Sequence, residues 1–304
     1  MDVRFKVSVV VATLTLVAGF LFYLQRSASS SYEPYRGPLA SPGPSSPRPG
    51  ATLHIALNTE PSDYPRLARL GYDLVDIKPD DASLGGLPEG MRAMFWVGNF
   101  QCDDFELSYE EFTEAVRRYA GHPRVYGWYL SDEPDPGTCP KIAGEIRRRA
   151  DYVKRYAPGQ ITFVSLTDFP MKPVTPGKVN VDLVGLDPYP CEGASRARAE
   201  CDIDAIDRMV RMADAAGIPR RVMVPVFQTF GTACSQGERG HWLPTAEQFR
   251  AILRRWDRLV PHPPFDIAYS WGHQGQWACP TLVDADGTDG RPDLQSIVKA
   301  RNGG

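Results

Sequence analysis

The sequence predicts an α/β protein built on a single (β/α)8 barrel, the TIM-barrel fold, over residues 51–304. Three observations predict it. Short β-like segments alternate with amphipathic helical segments after residue 50, which is the pattern of a parallel sheet. Eight such β-segments occur, the number that closes a barrel. The length of this part of the chain is also typical of one such barrel.

The elements follow one another regularly along the chain. The predicted strands are residues 52–58, 72–79, 92–99, 125–134, 161–166, 181–190, 221–230 and 265–271. The predicted helices include residues 109–119, 142–156, 203–216, 245–259 and 294–300. An open doubly wound sheet is the competing fold. It is less favoured because Asn58-Thr59-Glu60-Pro61, not a Gly-rich phosphate-binding turn, follows the first strand.

The N-terminus carries an export signal. Residues 7–24 are apolar and uncharged, and Arg4 and Lys6 precede them. This length lies between a long signal-peptide core and a short transmembrane helix, so residues 1–26 are a signal peptide or a signal anchor, with the anchor slightly favoured. The positive flank stays inside, and the rest of the chain goes outside. We therefore expect an extracellular protein, secreted or anchored to the membrane by residues 7–24.

Residues 27–50 contain seven Ser and six Pro and no apolar period, which predicts a disordered linker. The formal net charge of the chain is −3, with both signs dispersed. This charge pattern excludes a basic surface for nucleic acid or for an anionic membrane. We expect membrane contact through the N-terminal segment only, a monomer, and no cofactor or metal ion.

Six cysteines fall just after predicted strands, on the loop face where barrel active sites lie. An even number behind an export signal predicts disulfides. A zinc site is the alternative, but no Cys-x-x-Cys or His-Glu-x-x-His spacing supports it. Neighbouring strands favour the pairs Cys102–Cys139, Cys191–Cys201 and Cys234–Cys279.

Two strands allow a prediction of which side chains face the barrel interior, because successive residues alternate between the two faces. In the fourth strand, the predicted inward residues are Gly127, Tyr129, Ser131 and Glu133, and the outward ones are Tyr126, Trp128, Leu130 and Asp132. In the sixth strand, the predicted inward residues are Leu183, Gly185, Asp187 and Tyr189, and the outward ones are Val184 and Leu186.

The segment Gly127-Trp128-Tyr129-Leu130-Ser131-Asp132-Glu133-Pro134 ends the fourth strand. Here the sequence resembles the barrel glycoside hydrolases of the large retaining clan, whose fourth strand ends in Asn-Glu-Pro with the Glu as acid/base. Glu133 and Pro134 correspond, whereas Asp132 stands where the family has Asn. The resemblance implies a carbohydrate ligand and Glu133 as general acid. Glycosidic cleavage needs a carboxylic acid with a raised pKa, and Asp132 and burial could supply that environment.

The sequence departs from the clan at the second catalytic carboxylate, which in the clan is a Glu at the end of the seventh strand. Gln228 stands there in this chain, and an amide cannot act as a nucleophile or a base. Three explanations are open. Another carboxylate serves, with Asp187 the first choice and Asp168 the second, or a group of the substrate assists, or the site binds sugar without cleaving it.

Further side chains at strand exits suit a sugar, since amides bind hydroxyl groups and aromatic rings offer apolar faces. The predicted substrate-binding residues are Asn58, Trp96, Asn99, Asp132, Asp168, Tyr189, Gln228, Trp271, His273 and Gln274. Trp271 ends the eighth strand, where the resembling clan often has an aromatic floor. For Asp76 and Lys78, a structural ion pair is the simpler interpretation. The Asp-Gly-rich residues 284–290 predict a turn rather than a calcium site.

The leading hypothesis is an extracellular glycoside-hydrolase-like enzyme that acts on a polysaccharide or oligosaccharide. The alternative is a catalytically silent carbohydrate-binding barrel on the cell surface, and Gln228 in place of the nucleophile motivates it. A purely structural role is a third option. A serine hydrolase of the Gly-x-Ser-x-Gly type is disfavoured because that motif does not occur.

Overall fold

The computed structural model describes residues 51–102, 104–193, 200–232, 240–275, 277–283 and 290–303. The predicted signal segment 1–26, the predicted linker 27–50, Cys234 and most of the predicted turn at 284–290 lie outside the described residues. Within the described part of the chain, every helix is too short or too polar to cross a bilayer.

Eight parallel strands form a closed barrel, which confirms the fold predicted from the alternation of elements. They are β1 (Leu53–Ala56), β2 (Leu74–Ile77), β3 (Arg92–Trp96), β4 (Val125–Asp132), β5 (Ile161–Leu166), β6 (Leu183–Leu186), β7 (Met223–Gln228) and β8 (Phe265–Tyr269). Each strand pairs with its sequence neighbour, and β1 pairs with β8 to close the ring.

Helices connect the strands and cover the outside of the barrel. They are α1 (Tyr64–Arg69), α2 (Asp81–Gly86), α3 (Tyr109–Tyr119), α4 (Ile142–Tyr156), α5 (Pro176–Val179), α6 (Asp204–Ala216), α7 (Ala246–Leu259) and α8 (Pro292–Arg301). Capping boxes begin two of them: Ser108 with Glu111 before α3, and Thr245 with Gln248 before α7. These caps satisfy backbone N–H groups that the first turn leaves without partners.

The alternation of strand residues divides the core in two. One apolar cluster lies inside the barrel and includes Ile55, Phe163 and Phe265. The other lies between the strands and the helices and includes Trp128 and Trp256. The predicted orientation of β6 is confirmed, since Leu183 belongs to the inner cluster and Val184 and Leu186 to the outer one.

Strand β4 departs from simple alternation at two points. Its register shifts at the level of Ala93/Met94 of β3 and again between Tyr129 and Ser131. Trp128 and Leu130 face the helices as predicted, but Tyr126 packs with the inner cluster, so its predicted orientation is wrong. The second shift brings Asp132 level with Ser165 and turns it toward the barrel opening, not outward. A bulge adds one residue to a strand and reverses the parity of the residues after it.

The loops at the carboxyl ends of the strands carry the disulfides. Cys102–Cys139 joins the segments after β3 and β4, with 5.1 Å between the Cα atoms, and Cys191–Cys201 closes the segment after β6. These two predicted pairs are confirmed. The third predicted pair, Cys234–Cys279, includes Cys234, which lies outside the described residues. Two short antiparallel ladders add order here: Asn99–Gln101 with Asp104–Phe105, and Glu192–Gly193 with Gly240–His241.

Candidate functional site

A hollow of about 500 Å³ opens at the carboxyl ends of the barrel strands. Its size is that of a small-molecule site, and its place is where barrel enzymes have their active sites. The described residues that line it are Leu57, Asn58, Asp76, Trp96, Asn99, Cys102, Tyr129, Asp132, Glu133, Asp135, Thr138, Cys139, Ser165, Asp187, Tyr189, Val226, Ile267, Tyr269 and Gln274.

Glu133 lies directly after β4 and projects into the hollow. Its backbone N–H donates to the carbonyl oxygen of Ser165 at 3.0 Å, which holds the turn against β5. The φ angle of Glu133 is +42°, a left-handed conformation that non-glycine residues seldom adopt outside sites where the surroundings impose it. Burial raises the pKa of the Glu133 carboxyl to about 7, and the charges of Asp132 and Asp168 add to the effect.

Asp187 follows β6 and is the most enclosed carboxylate of the group, with 5% of its surface exposed. The Ser165 hydroxyl donates to Oδ1 at 2.6 Å, and the Tyr189 hydroxyl lies 3.4 Å from Oδ2. Gly185 makes room for this arrangement, because a Cβ there would lie 2.5 Å from Ser165 Oγ. Burial raises the pKa of Asp187 well above its usual range, and repulsion from Asp132 and Glu133 raises it further.

Asp132, the last residue of β4, also lines the hollow. Its Oδ1 accepts a hydrogen bond from the Tyr129 hydroxyl at 2.6 Å. Solvent reaches Asp132 through the hollow, although protein atoms surround the side chain on the other sides. Burial raises the pKa of Asp132, and the hydrogen bond from Tyr129 opposes that rise by stabilising the ionised form.

These three carboxyl groups therefore titrate together. Each ionised member raises the pKa of its neighbours, so the cluster retains protons at neutral pH that isolated carboxylates would have lost. Such a cluster can donate a proton to a bound ligand while another member carries negative charge, which is the requirement for paired general-acid and carboxylate chemistry.

A fourth carboxylate, Asp76, enters the hollow from the end of β2. Burial raises the pKa of Asp76 to about 7, although backbone N–H groups of Asn58 and Thr59 lower it in part. Lys78 does not pair with Asp76. Its ammonium lies 2.7 Å from Glu106, so the structural ion pair expected from the sequence is wrong.

Neutral polar and aromatic groups complete the wall. The Asn58 amide donates to Ser270 Oγ at 2.8 Å and to Gln274 Oε1 at 3.3 Å. Trp96 contacts Tyr129 edge-on, with 4.8 Å between the ring centroids. Tyr189 and Tyr269 lie 5.8 Å apart with their rings inclined by 30°.

The structure brings together eight of the residues that the sequence predicted for the site. They are Glu133, Asp187, Asn58, Trp96, Asn99, Asp132, Tyr189 and Gln274. Asp168 is exposed outside the lining, although its charge acts on Glu133. His273 is half-buried and also does not line the hollow.

Gln228, contrary to the prediction, does not reach the hollow. The side chain is fully buried, and its amide is saturated. Oε1 accepts from the Cys191 N–H at 2.8 Å, and Nε2 donates to the carbonyl oxygens of Cys191, Phe230 and Trp242 at 3.1, 3.4 and 3.2 Å. Gln228 therefore holds the disulfide loop to the end of β7 and is not available to a ligand.

Trp271 also departs from the prediction. The indole is fully buried in the outer core, 6.1 Å from the ring of Tyr72, with the Arg66 guanidinium 5.5 Å from its centroid. The inward aromatic position on β8 belongs to Tyr269, which was not predicted. Tyr269 precedes Trp271 by two residues, so the prediction placed the inward aromatic side chain of β8 two residues too far along the chain.

Four other polar residues line the hollow without having been predicted there: Asp76, Asp135, Thr138 and Ser165. Ser165 follows the inward Phe163 by two residues, so strand parity could have found it. Asp135 and Thr138 belong to the segment that Cys139 ties to Cys102, and no sequence pattern marks them. Among the described residues, no three His, Cys, Asp or Glu side chains are grouped closely enough to hold a metal ion.

Comparisons with known proteins leave the family open. No protein-family model matches the sequence, and no curated protein matches it. Similar solved structures include a β-glucuronidase from Ruminococcus gnavus in complex with D-glucaro 1,5-lactone, at 12% identity and a TM-score of 0.58 over 83% of this chain and 50% of that one. A Lactobacillus rhamnosus β-glucuronidase matches at 14% identity and a TM-score of 0.59, over 83% and 50%.

A β-galactosidase from the psychrophilic Marinomonas ef1 is also similar, at 10% identity and a TM-score of 0.56 over 82% of this chain and 59% of that one. The chain thus spans about half the length of the solved structures that it matches. At this identity, the likeness shows the fold alone. The shared fold is the TIM barrel, and activity has to be argued from the site.

Proposed function

We propose that the protein is a glycoside hydrolase that cleaves O-glycosidic bonds of an oligosaccharide or polysaccharide, with Glu133 as general acid. The observation that carries the proposal is the position of Glu133, a carboxyl with a pKa of about 7, in one hollow with Asp132 and Asp187. A carboxylic acid that holds its proton near neutral pH is what protonation of a leaving glycosidic oxygen requires. The glycosidase names of the structural neighbours support the choice of substrate class.

In this mechanism, Glu133 donates its proton to the glycosidic oxygen as the bond to the anomeric carbon breaks. Asp187, ionised in that step, faces the positive charge that develops on the sugar ring. Water then supplies the hydroxyl group of the released sugar and the proton that returns to Glu133. Ser165 and Tyr189 suit this role for Asp187, because their hydrogen bonds stabilise its ionised form and oppose in part the burial that raises its pKa.

Asp187 is a better second carboxylate than Asp168, the other residue considered from the sequence. Asp187 lines the hollow and interacts electrostatically with Glu133 and Asp132. Asp168 is exposed to solvent outside it. With the proton on Glu133, one source of repulsion on Asp187 is removed, so the two groups can take opposite protonation states.

The first experiment compares the purified protein with Glu133→Gln on a panel of polysaccharides, measuring release of reducing ends. We expect kcat/KM to fall about 10³-fold in the variant, the usual cost of losing a general acid. Glu114→Gln is the matched control, because it removes a carboxylate from the exposed surface of α3. Equal activity in the wild type and in Glu133→Gln would remove Glu133 from the mechanism.

A catalytically silent sugar-binding barrel is the second candidate, and the position of Gln228 favours it. This residue occupies the end of β7 and is fully engaged with backbone groups, so β7 contributes no carboxylate to the hollow. The binder predicts saturable glycan binding with no release of reducing ends. Product release that depends on Glu133 would exclude it.

We also propose that the barrel works outside the cytoplasm. The disulfides Cys102–Cys139 and Cys191–Cys201 are typical of an oxidising compartment, and the apolar residues 7–24 are typical of an export signal. Cell fractionation and protease protection of the full chain test this. Recovery of a protease-protected, thiol-reduced protein from the cytoplasm would contradict it.

A further inference from the structure

The ionisable side chains in the described lining of the hollow are acidic, apart from tyrosines and disulfide-bonded cysteines. Five carboxylate side chains line it: Asp76, Asp132, Glu133, Asp135 and Asp187. Over the described part of its lining, no Lys, Arg or His side chain balances them. The nearby Lys78 is exposed and paired with Glu106. Carboxyl groups that are enclosed by low-dielectric walls and face no cation retain protons at neutral pH. A bound cation would favour their ionised form, whereas a bound anion would be repelled by whichever of them are ionised.

A metal ion does not fit this distribution. The described residues contain no group of three acidic, His or Cys side chains that could hold one. Asp132 ends β4, Glu133 follows it and Asp187 follows β6, whereas Asp76 lies in β2 on another side of the barrel. The negative charge is spread over the walls, so an extended organic cation matches it better than a single ion.

Asp76 gives a separate indication of a missing partner. The residue is half-buried at the wall of the hollow, and backbone N–H groups of Asn58 and Thr59 stabilise its ionised form. Its Oδ1 atom is nevertheless buried and has no hydrogen-bond partner among the described residues. A buried carboxylate oxygen that is left unsatisfied is costly, so a hydrogen-bond donor on a ligand would stabilise the site at Oδ1. The acid/base chemistry proposed for Glu133 and Asp187 does not use Asp76.

We propose that the hollow binds a saccharide containing hexosamine units whose amino groups are free and protonated, with Asp76 as a specificity-determining residue. This inference rests on the proposed function and names its substrate class. The ammonium group provides charge-assisted hydrogen bonds to carboxylates. Asn58, Asn99 and Gln274 are suited to the neutral hydroxyl groups, and the rings of Tyr189 and Tyr269 to the apolar face of a sugar or to its cation.

The same charges select against close relatives of this ligand. N-acetylation removes the positive charge of the amine, so the acetylated sugar loses the attraction of the carboxylates. A uronic acid adds a carboxylate and is repelled. We therefore expect the binding affinity to be highest for the sugar with a free amine, lower for the acetylated sugar and lowest for the uronic acid.

The test measures binding by isothermal titration calorimetry to full-length Glu133→Gln in a mild nonionic detergent, so that no ligand is cleaved. The ligands are β-1,4-linked pentamers of glucosamine and of N-acetylglucosamine, and a pentamer of galacturonic acid. We expect the glucosamine pentamer to bind at least about 10-fold more tightly than either of the others. Equal or tighter binding of the acetylated or the uronic pentamer, or no binding of the glucosamine pentamer, would overturn the inference.

Asp76→Asn, added to Glu133→Gln, keeps the size of the side chain and removes its charge. We expect it to weaken binding of the glucosamine pentamer about 10-fold and to leave the acetylated pentamer nearly unchanged. Glu114→Gln in the same background removes one charge outside the hollow and should change neither. Near-UV circular dichroism verifies that each variant is folded. An unchanged preference in folded Asp76→Asn would exclude this residue as the determinant.

These outcomes are distinct from those that test hydrolysis. Preferential binding of the glucosamine pentamer without cleavage by the wild type would contradict the proposed hydrolysis and support the inference. Glu133-dependent cleavage of neutral glycans, with no preference for the free amine, would contradict the inference and support the hydrolysis.

Discussion

Buried carboxylates are paired with basic side chains at one end of the barrel and lie next to other carboxylates at the other end. At the amino ends of the strands, His54 Nδ1 lies 2.7 Å from Asp266 Oδ1, and Arg301 Nε lies 3.0 Å from Oδ2 of the same aspartate. Arg301 also contacts Asp257 at 2.9 Å. At the carboxyl ends, Asp132, Glu133 and Asp187 face one another and the hollow.

The difference shows which end stabilises the fold and which end can do chemistry. A carboxylate such as Asp266 that is bonded on both oxygens holds β1, β8 and α8 together. A cluster without cations destabilises the native state, and folded proteins tolerate it where function requires it. This is the division expected of barrels, in which the amino-terminal face serves stability and the carboxyl-terminal face serves catalysis.

The greatest loss of stability is expected from a substitution at the paired end. Asp266→Asn removes the negative charge between His54 and Arg301, so the buried guanidinium loses a partner. We expect the free energy of unfolding to fall by about 3–5 kcal/mol, measured by urea denaturation. Asp187→Asn at the other end should cost little or be stabilising, because burial and the neighbouring carboxylates already disfavour the ionised form of Asp187. Similar losses in the two variants would contradict the proposed difference between the two ends.

A somewhat smaller effect is expected at Gln228, which lies near the hollow but belongs to the scaffold. Gln228→Glu restores the residue type that the resembling clan has at the end of its seventh strand. Here the new carboxylate would meet three carbonyl oxygens that now accept from Nε2. We expect a loss of about 3 kcal/mol in unfolding free energy and no gain in hydrolysis. A stable variant with increased activity would show that the β7 exit is part of the site.

A third, smaller effect concerns the pH dependence of stability. Because the pKa of Glu133 is about 7 in the folded protein and near 4.5 when unfolded, its contribution to stability is fully present below pH 4.5. It is lost as pH rises from 4.5 through 7, since the folded state then binds more protons than the unfolded state. Asp76 acts in the same direction. Exposed carboxylates such as Asp202, whose pKa a neighbouring arginine lowers, act in the opposite direction at lower pH.

We therefore expect the wild type to be more stable at pH 5 than at pH 7.5, and Glu133→Gln to reduce that difference by about 2 kcal/mol. Urea denaturation at the two pH values measures both. An unchanged difference in Glu133→Gln would show that Glu133 titrates normally and would weaken its assignment as the acid.

The sequence predicted the architecture well because strand and helix patterns are local. All eight strands were found, since each is a short apolar run bounded by polar residues. The pair Cys102–Cys139 followed from strand order, because residues that leave neighbouring strands are close together in a barrel. Cys191 and Cys201 both belong to the one segment after β6, so they were close in the sequence already. The inward orientation of Asp187 followed from alternation along β6, which has the regular register that this reasoning assumes.

The rest of the site depends on contacts between distant parts of the chain. Two register shifts in β4 turned Tyr126 and Asp132 inward, and strand alternation carries no information about such bulges. The level at which β8 ends placed Tyr269 in the hollow and Trp271 in the outer core. The saturated bonds of Gln228 depend on Cys191 and Trp242, which are distant from it along the chain.

Periodicity is a property of neighbouring residues, so the amino-acid order was enough to establish the barrel and the strand exits at which Glu133 and Asp187 stand. Closure of the barrel was needed to establish which carboxylates share a hollow and which charges are neutralised by partners. The reason is physical: the pKa of each group depends on burial and on charges from other strands, and these arise only when the barrel closes.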